Sequence, residues 1–189
     1  MKKIILASSS PRRIEMMKNN GYDPAIIPAD VSEKLPMIMT PAASVMYLAL
    51  KKAAYVKEKL EISGEIEYEK IIAADTVVVK NNKVIGKPQS KEEAFKILSS
   101  LRKDSHHVLT GVCIIEKENS TSTCFYDSTR VFFKNISDEE LTAYVNTPEP
   151  YDKAGGYAIN QTFSKYLDHI EGDFNNVIGL PWYRVKSFL

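Results

Sequence analysis

Hydrophobic and polar positions switch between two periods along this chain, and the switches mark its elements. Residues 3–7 form a short apolar run, the pattern of a buried strand, closed by Ser8, Ser9, Ser10 and Pro11. Residues 11–20 predict a helix, with Ser10 as its cap, Pro11 in the first turn and Gly21 where it stops. Residues 22–31 read as extended. Over 40–60 the apolar positions Val45, Leu48, Ala49, Ala53 and Val56 recur at helical spacing behind Thr40 and Pro41, which predicts the longest helix. Residues 63–69 read as a polar loop.

A β-branched run over 71–79 predicts a strand, and Asn81-Asn82 turns it into Val84-Ile85. Helices over 90–102 and 137–146 each open with a serine and a glutamate three residues on. These pairs, Ser90 with Glu93 and Ser137 with Glu140, are capping boxes. Residues 107–116 and 121–134 predict a hairpin. From 147 onward the chain is loop-rich, ending in a short helix. Strands and helices alternate early and antiparallel strands come in the middle, which predicts an α/β or α+β fold with a mixed sheet. There is no repeat and no linker long enough to divide the chain, so a single domain is expected.

Charge removes some partners from consideration. Twenty-five Lys and Arg stand against 24 Asp and Glu, so no global field favours a nucleic acid polymer or an anionic membrane. Any anion site must be built locally. The first apolar run is too short for a signal peptide, and nothing approaches the ~20 apolar residues of a membrane span. A cytoplasmic protein is expected. Cys113 and Cys124 lie on the two arms of the hairpin and could bridge, but in that compartment they are expected buried and reduced.

Four segments could carry chemistry. Ser8-Ser9-Ser10-Pro11-Arg12-Arg13 lies between strand and helix, where unpaired N–H groups and the positive dipole end favour an anion. Serine hydroxyls can donate to phosphate and arginine can grip it in a fork; a capped surface helix with solvated arginines is the plainer alternative. Asp75 interrupts the apolar strand 71–79. An ionised carboxylate there needs a metal, a cation or a cleft-facing position, and a catalytic or metal role is favoured over a simple turn contact. Gly86-Lys87-Pro88 presents a lysine from a rigid turn. Finally, Asp152-Lys153-Ala154-Gly155-Gly156-Tyr157 and the glycine-flanked stretch 172–181 have the composition of loops around a small-molecule site, or of ordinary turns. His106, His107 and His169 lack metal-ligand spacing, and the serines lack the context of a nucleophile.

In order, these segments resemble the Maf family of nucleotide pyrophosphatases. The resemblance covers nearly the whole chain. It is carried by Leu6-Ala7-Ser8-x-Ser10-Pro11-Arg12-Arg13, Val31-x-Glu33, Leu48-Ala49-x-x-Lys52-Ala53 and Ala74-Asp75-Thr76-Val77-Val78. Gly86-Lys87-Pro88, His106-x-Val108-x-Thr110-Gly111-Val112, Lys153-Ala154-Gly155-x-Tyr157 and Gly172-Asp173-x-x-Asn176-Val177-x-Gly179-Leu180-Pro181 complete it. It implies a mixed sheet with flanking helices bent around a deep cleft, similar to inosine triphosphate pyrophosphatases, in a homodimer. It implies hydrolysis of a nucleoside triphosphate to monophosphate and pyrophosphate with a divalent metal, Mg²⁺ or Mn²⁺.

On this resemblance Asp75 is the catalytic carboxylate, activating water or holding the metal, with Glu33 assisting at the metal. Arg12, Arg13, Lys52 and Lys87 clamp the triphosphate, and Ser8 and Ser10 contact the ligand. Asp75-Thr76 resembles the branch that acts on dTTP and UTP. Two positions depart from the family pattern. Asn160-Gln161 stands where Gln-Gly is usual, one methylene shorter at the position tied to base choice, and Arg102-Lys103 replaces a usual Ser-Gly. A nucleotide-binding regulator of septum formation with little catalysis, and an enzyme for inosine triphosphate, are the alternative readings.

Overall fold

The computed structural model describes residues 3–189. Strand β1 (Lys3–Leu6) leads into helix α1 (Pro11–Asn19), then the two-residue strand β2 (Ala25–Ile26) and helix α2 (Pro41–Ser63). Strand β3 (Tyr68–Lys80) turns into β4 (Lys83–Ile85), followed by helix α3 (Lys91–Leu101). Strands β5 (Ser105–Glu116) and β6 (Thr121–Phe133) come next, then α4 (Asp138–Val145). Three 3-10 turns (Glu149–Asp152, Ala154–Gly156, Thr162–Tyr166) precede β7 (Leu167–Glu171), α5 (Phe174–Ile178) and α6 (Trp182–Val185). The strands form one mixed seven-stranded sheet in the order β2-β1-β3-β5-β6-β7, with β4 beside β3. The pairs β1–β2 and β1–β3 are parallel, whereas β3–β4 and β6–β7 are antiparallel.

The chain forms two compact units. The first comprises 1–75, 110–127 and 179–189, and the second 76–109 and 128–178. The first unit's core packs Ile5, Ile71 and Ala73 of the sheet, with Ala7 just beyond β1, against Ala49, Ala53, Val56 and Leu60, one face of α2. That face is the helical-period stripe of the sequence, buried as such a stripe must be. The second unit's core gathers Leu98 and Leu101 of α3, Leu141 and Val145 of α4, and the aromatic side chains of Phe133, Tyr157, Phe163 and Tyr166.

Local chemistry accounts for most boundaries. Thr40 caps α2 by accepting the Ala43 N–H, and Gly64 ends it in the left-handed region at φ +64°. Ser137 and Glu140 form the reciprocal capping box at α4. Five expectations are corrected. Ser10 occupies the cap position of α1, but its hydroxyl makes no cap hydrogen bond. Pro11 removes one orphan N–H there, which lessens the need for one. Glu93 is not half of a box with Ser90: its carboxylate accepts from the Gln89 N–H at 2.7 Å, while Ser90 alone accepts from Glu93. The extended stretch 22–31 contracts to the two residues of β2, and α2 runs on into the expected loop, to Ser63. Both cysteines are free thiols; Cys113 is buried as expected, but Cys124 is exposed.

Candidate active site

The first unit gathers seven of the ten singled-out side chains: Ser8, Ser10, Arg12, Arg13, Glu33, Lys52 and Asp75. Beyond β1, the Ala7 N–H bonds the Ile72 carbonyl at 2.8 Å, holding the start of the serine loop against β3. The Ser8 hydroxyl then accepts twice, from the Ser10 N–H and from Arg13 Nη1, each at 3.2 Å. Arg13 Nε donates to the Gly179 carbonyl at 2.8 Å. Two faces of the guanidinium are therefore fixed by neutral oxygens. Burial pulls the Arg13 pKa down to about 10; Asp75 draws it back up, Arg12 presses it down, and Glu33 raises it. At neutral pH the group keeps its charge.

Glu33 and Asp75 come from different parts of the first unit, and Lys52 of α2 joins them. Its Nζ lies 2.8 Å from Glu33 Oε1 and 2.6 Å from Asp75 Oδ1. The Lys52 and Asp75 side chains are only 14% and 11% exposed, while Glu33 is 62% exposed. The pair with Asp75 is thus shielded from water and the pair with Glu33 is not, so screening weakens mainly the second. The preceding residue, Lys51, donates to the Ser32 carbonyl at 2.7 Å. Two consecutive lysines of α2 therefore hold the 32–33 loop, one by its backbone and one by its carboxylate. The charged residue that interrupts the apolar strand resolves its conflict through a cation, one of the outcomes foreseen from the sequence.

Helix α2 can reach this position because of Gly111 on β5. A Cβ there would lie 2.3 Å from the Val45 carbonyl carbon and 2.6 Å from the Met46 N, deep inside α2's backbone. Gly111, Gly179 and Lys51 were not singled out as site residues. Gly111 had one legible signal, a glycine inside a buried strand, which marks close approach of another backbone.

The second unit holds Thr76, Lys87 and Asn160. Thr76 is half-buried on β3, and Lys87 is exposed in the turn after β4. The Gly86 carbonyl accepts from the Gly155 N–H at 3.0 Å, which ties the Lys87 turn to the glycine pair. Gly155, at φ +71°, would bring a Cβ within 2.9 Å of Val78 Cγ2. Lys153 is buried, its Nζ donating to the Glu149 carbonyl at 2.8 Å and to Asp152 Oδ1 at 2.6 Å. Asn160 and its neighbour Gln161 are both exposed. Asn176, wholly buried, donates to the Val108 carbonyl and to the Thr129 hydroxyl, anchoring the loop that follows β7. A cavity of about 500 Å³ in this unit is lined by Lys103, Asp104, Arg130 and Asp168 among others. Two of its charged residues are already paired, Asp104 with Lys80 and Arg130 with Glu171. Among the described residues no group of three or more His, Cys, Asp or Glu converges to cage a metal, and no helix is long and apolar enough to cross a membrane.

A mixed α/β chain that holds one lysine between two carboxylates, with an arginine from the first turn of α1 acting on both, has the equipment of a protein that handles polyanions. The chain belongs to the Maf family, whose description, Maf-like protein, matches residues 3–189. It is 43% identical to the dTTP/UTP pyrophosphatase of Caldicellulosiruptor bescii, over all of this chain and 94% of that protein. It is 41% identical to the dTTP/UTP pyrophosphatase of Pelotomaculum thermopropionicum, over all of this chain and 96% of the relative. For the dTTP/UTP pyrophosphatase of Bacillus anthracis the identity is 42%, over 98% of this chain and 93% of the relative.

Proposed function

We propose that this protein hydrolyses nucleoside triphosphates, dTTP and UTP foremost, to the monophosphate and pyrophosphate. The observation that carries the reading is the Lys52 ammonium held between Glu33 and Asp75, with Arg13 of α1 acting on both carboxylates. The family and the names of its full-length relatives give that arrangement a reaction.

Water attacks the α-phosphorus, the bond to the bridging oxygen breaks, and pyrophosphate leaves with that oxygen. Asp75 accepts the proton of the attacking water as general base. Arg12 and Arg13 meet the phosphate charge. Arg13 does so from a fixed orientation, since Ser8 and Gly179 already hold two of its N–H groups. Lys52 keeps Asp75 in place and offers a cation to the phosphates. For Lys87, Thr76, Asn160 and Ser10 the roles come from the family resemblance: a phosphate cation, two groups that select the base, and a ligand contact.

The donor set suits a divalent metal. Glu33 and Asp75 offer only oxygen, the ligand that Mg²⁺ and Mn²⁺ prefer, and Mg²⁺ is commonly held by one or two carboxylates together with substrate phosphates. When bound, the ion offsets charge on the attacked phosphorus and the departing pyrophosphate. An intracellular nucleotide pool as substrate places the protein in the cytoplasm. The test is a panel of nucleoside triphosphates with Mg²⁺ or Mn²⁺, reading pyrophosphate and monophosphate. Release from dTTP and UTP ahead of inosine triphosphate supports the reading; no release from any of them overturns it.

A further inference from the structure

We infer that Lys52 makes metal uptake conditional on nucleotide: without a triphosphate its ammonium holds the Glu33 and Asp75 carboxylates and keeps a divalent cation out. The inference rests on the metal reading above and concerns how this chain controls that binding.

The geometry is specific. One Nζ donates to Glu33 Oε1 at 2.8 Å and to Asp75 Oδ1 at 2.6 Å, so the position between the carboxylates is already filled by a positive charge. A hard dication needs such oxygens at about 2.0–2.1 Å for Mg²⁺. It cannot take them while an ammonium sits between them, because like charges at that separation repel strongly where water is scarce. Water is scarce on the Asp75 side of the bridge, where the Lys52 and Asp75 side chains are nearly covered. Charge counting points the same way. Lys52 bonds both carboxylates and the Arg13 charge is felt by Asp75 and Glu33, two cations against two carboxylates, so the nucleotide-free surroundings have no negative charge to spare.

A triphosphate reverses that balance. It brings several negative charges, gives Lys52 a phosphate oxygen to bond in place of the carboxylates, and leaves those for the metal. The lysine need not travel far, because α2 is fixed at Gly111 and at Ser32 and only the side chain turns. By linkage, nucleotide and metal then strengthen each other's binding by one common factor. Free metal in the cell does not load the protein, and the two ligands arrive together.

The experiment titrates the full chain with Mn²⁺, reading free Mn²⁺ by its electron paramagnetic resonance signal. It is run alone and with α,β-imido-UTP, a triphosphate analogue resistant to cleavage at that bond. Wild-type protein should bind Mn²⁺ weakly alone and at least ~10-fold more tightly with the analogue, a typical coupling size. Lys52→Met keeps the stem and removes the charge. It should bind Mn²⁺ ~10-fold more tightly than wild type without nucleotide, losing most of the coupling. Lys52→Arg restores the cation and should return binding to the weak level, and adding Asp75→Asn to Lys52→Met should abolish the gain. Equal Mn²⁺ affinity in wild type and Lys52→Met overturns the inference. Should Lys52→Met fail to fold, as a melting curve would reveal, wild type decides alone: equal Mn²⁺ affinity with and without the analogue overturns it. The readout is independent of turnover, so an inactive nucleotide panel removes the proposed reaction without touching this result.

Discussion

In the first unit the motif residues are held by side chains of opposite charge or by hydroxyls. Lys52 is held by Glu33 and Asp75, and Arg13 by Ser8 together with the Gly179 carbonyl. In the second unit the turn that carries Lys87 is held by backbone. Lys87 sits on a turn whose Gly86 carbonyl bonds the Gly155 N–H, and Gly155 occupies a conformation that few other residues adopt. The difference teaches where each kind of substitution should act. In the first unit, changing a side chain changes charge and chemistry while the fold stands. In the second, the sensitive feature is the backbone, and glycines rather than charges set the geometry. Gly111 breaks this division, because it is a backbone device within the charged unit.

The largest expected effect sharpens the first half of that comparison. Asp75→Asn removes charge but little volume, and the new carbonyl can still accept from Lys52. Turnover of UTP should fall by roughly 10²–10⁴-fold, the usual worth of a positioned general base, while the melting temperature moves little. Steady-state pyrophosphate release and a thermal melt check both; a variant with wild-type turnover removes Asp75 from the chemistry.

The second prediction tests the exception. Gly111→Ala drives a Cβ to 2.3 Å from the backbone of Val45 and 2.6 Å from that of Met46. Backbone cannot yield as a flexible side chain does, so the helix must shift or the fold must loosen. A loss of about 3 kcal/mol is expected, at the upper end of overpacking effects. Gly155→Ala meets the tip of Val78 instead, at 2.9 Å, and adds the left-handed strain of φ +71°; about 1–2 kcal/mol is expected. Urea unfolding of the two variants compares them directly. A smaller loss at Gly111 than at Gly155 would show that α2 yields more readily than its packing implies.

The third concerns acid. His106 is buried beside Tyr157 and Phe133, its Nε2 sharing a hydrogen bond with the Tyr157 hydroxyl. Burial, then Lys80 and His107, push its pKa from 6.5 down to about 3, against a weaker upward pull from Asp104. The unfolded chain therefore takes up a proton near pH 6.5 that the folded chain refuses until about pH 3. Stability from this group is whole above pH 6.5 and is lost as pH falls through that window. At about 1.4 kcal/mol per pH unit, roughly 2 kcal/mol goes between pH 7 and pH 5. His106→Gln, which can still meet Tyr157, should be less acid-sensitive by that amount in urea midpoints at the two pH values. Equal sensitivity in both proteins would place the acid response at groups other than His106.

How far the sequence spoke depended on whether a feature was local. The α2 stripe, the Thr40 cap and the Ser137–Glu140 box lie within a few residues of one another, and periodicity or capping chemistry reads them directly. Glu93 shows the limit, because its carboxylate takes the neighbouring Gln89 N–H instead of that of Ser90, a choice between two donors one residue apart. Asp75 was legible as a conflict, a carboxylate in an apolar strand, but spacing could not say which cation resolved it. Lys52 stands 23 residues earlier in the chain. Gly179 is more distant still, 166 residues from Arg13, and it acts through a carbonyl that every residue type carries. Contacts made by backbone over such separations leave no mark in residue identity, except where the backbone demands glycine.

The smallest predicted effect measures how much the charged unit depends on its neutral oxygens. Ser8→Ala deletes the acceptor for Arg13 Nη1 and for the Ser10 N–H, but leaves the Gly179 carbonyl on Arg13 Nε. A single hydrogen bond contributes about 1 kcal/mol net, equivalent to about fivefold in binding. Because the arginine is held less firmly while its charge persists, the effect should fall on KM for UTP, with kcat nearly unchanged. A fall in kcat at constant KM would instead mean that Ser8 acts on the reacting phosphate in the transition state. In that case the first unit's hydroxyls belong to the chemistry and not only to the scaffold that aims Arg13.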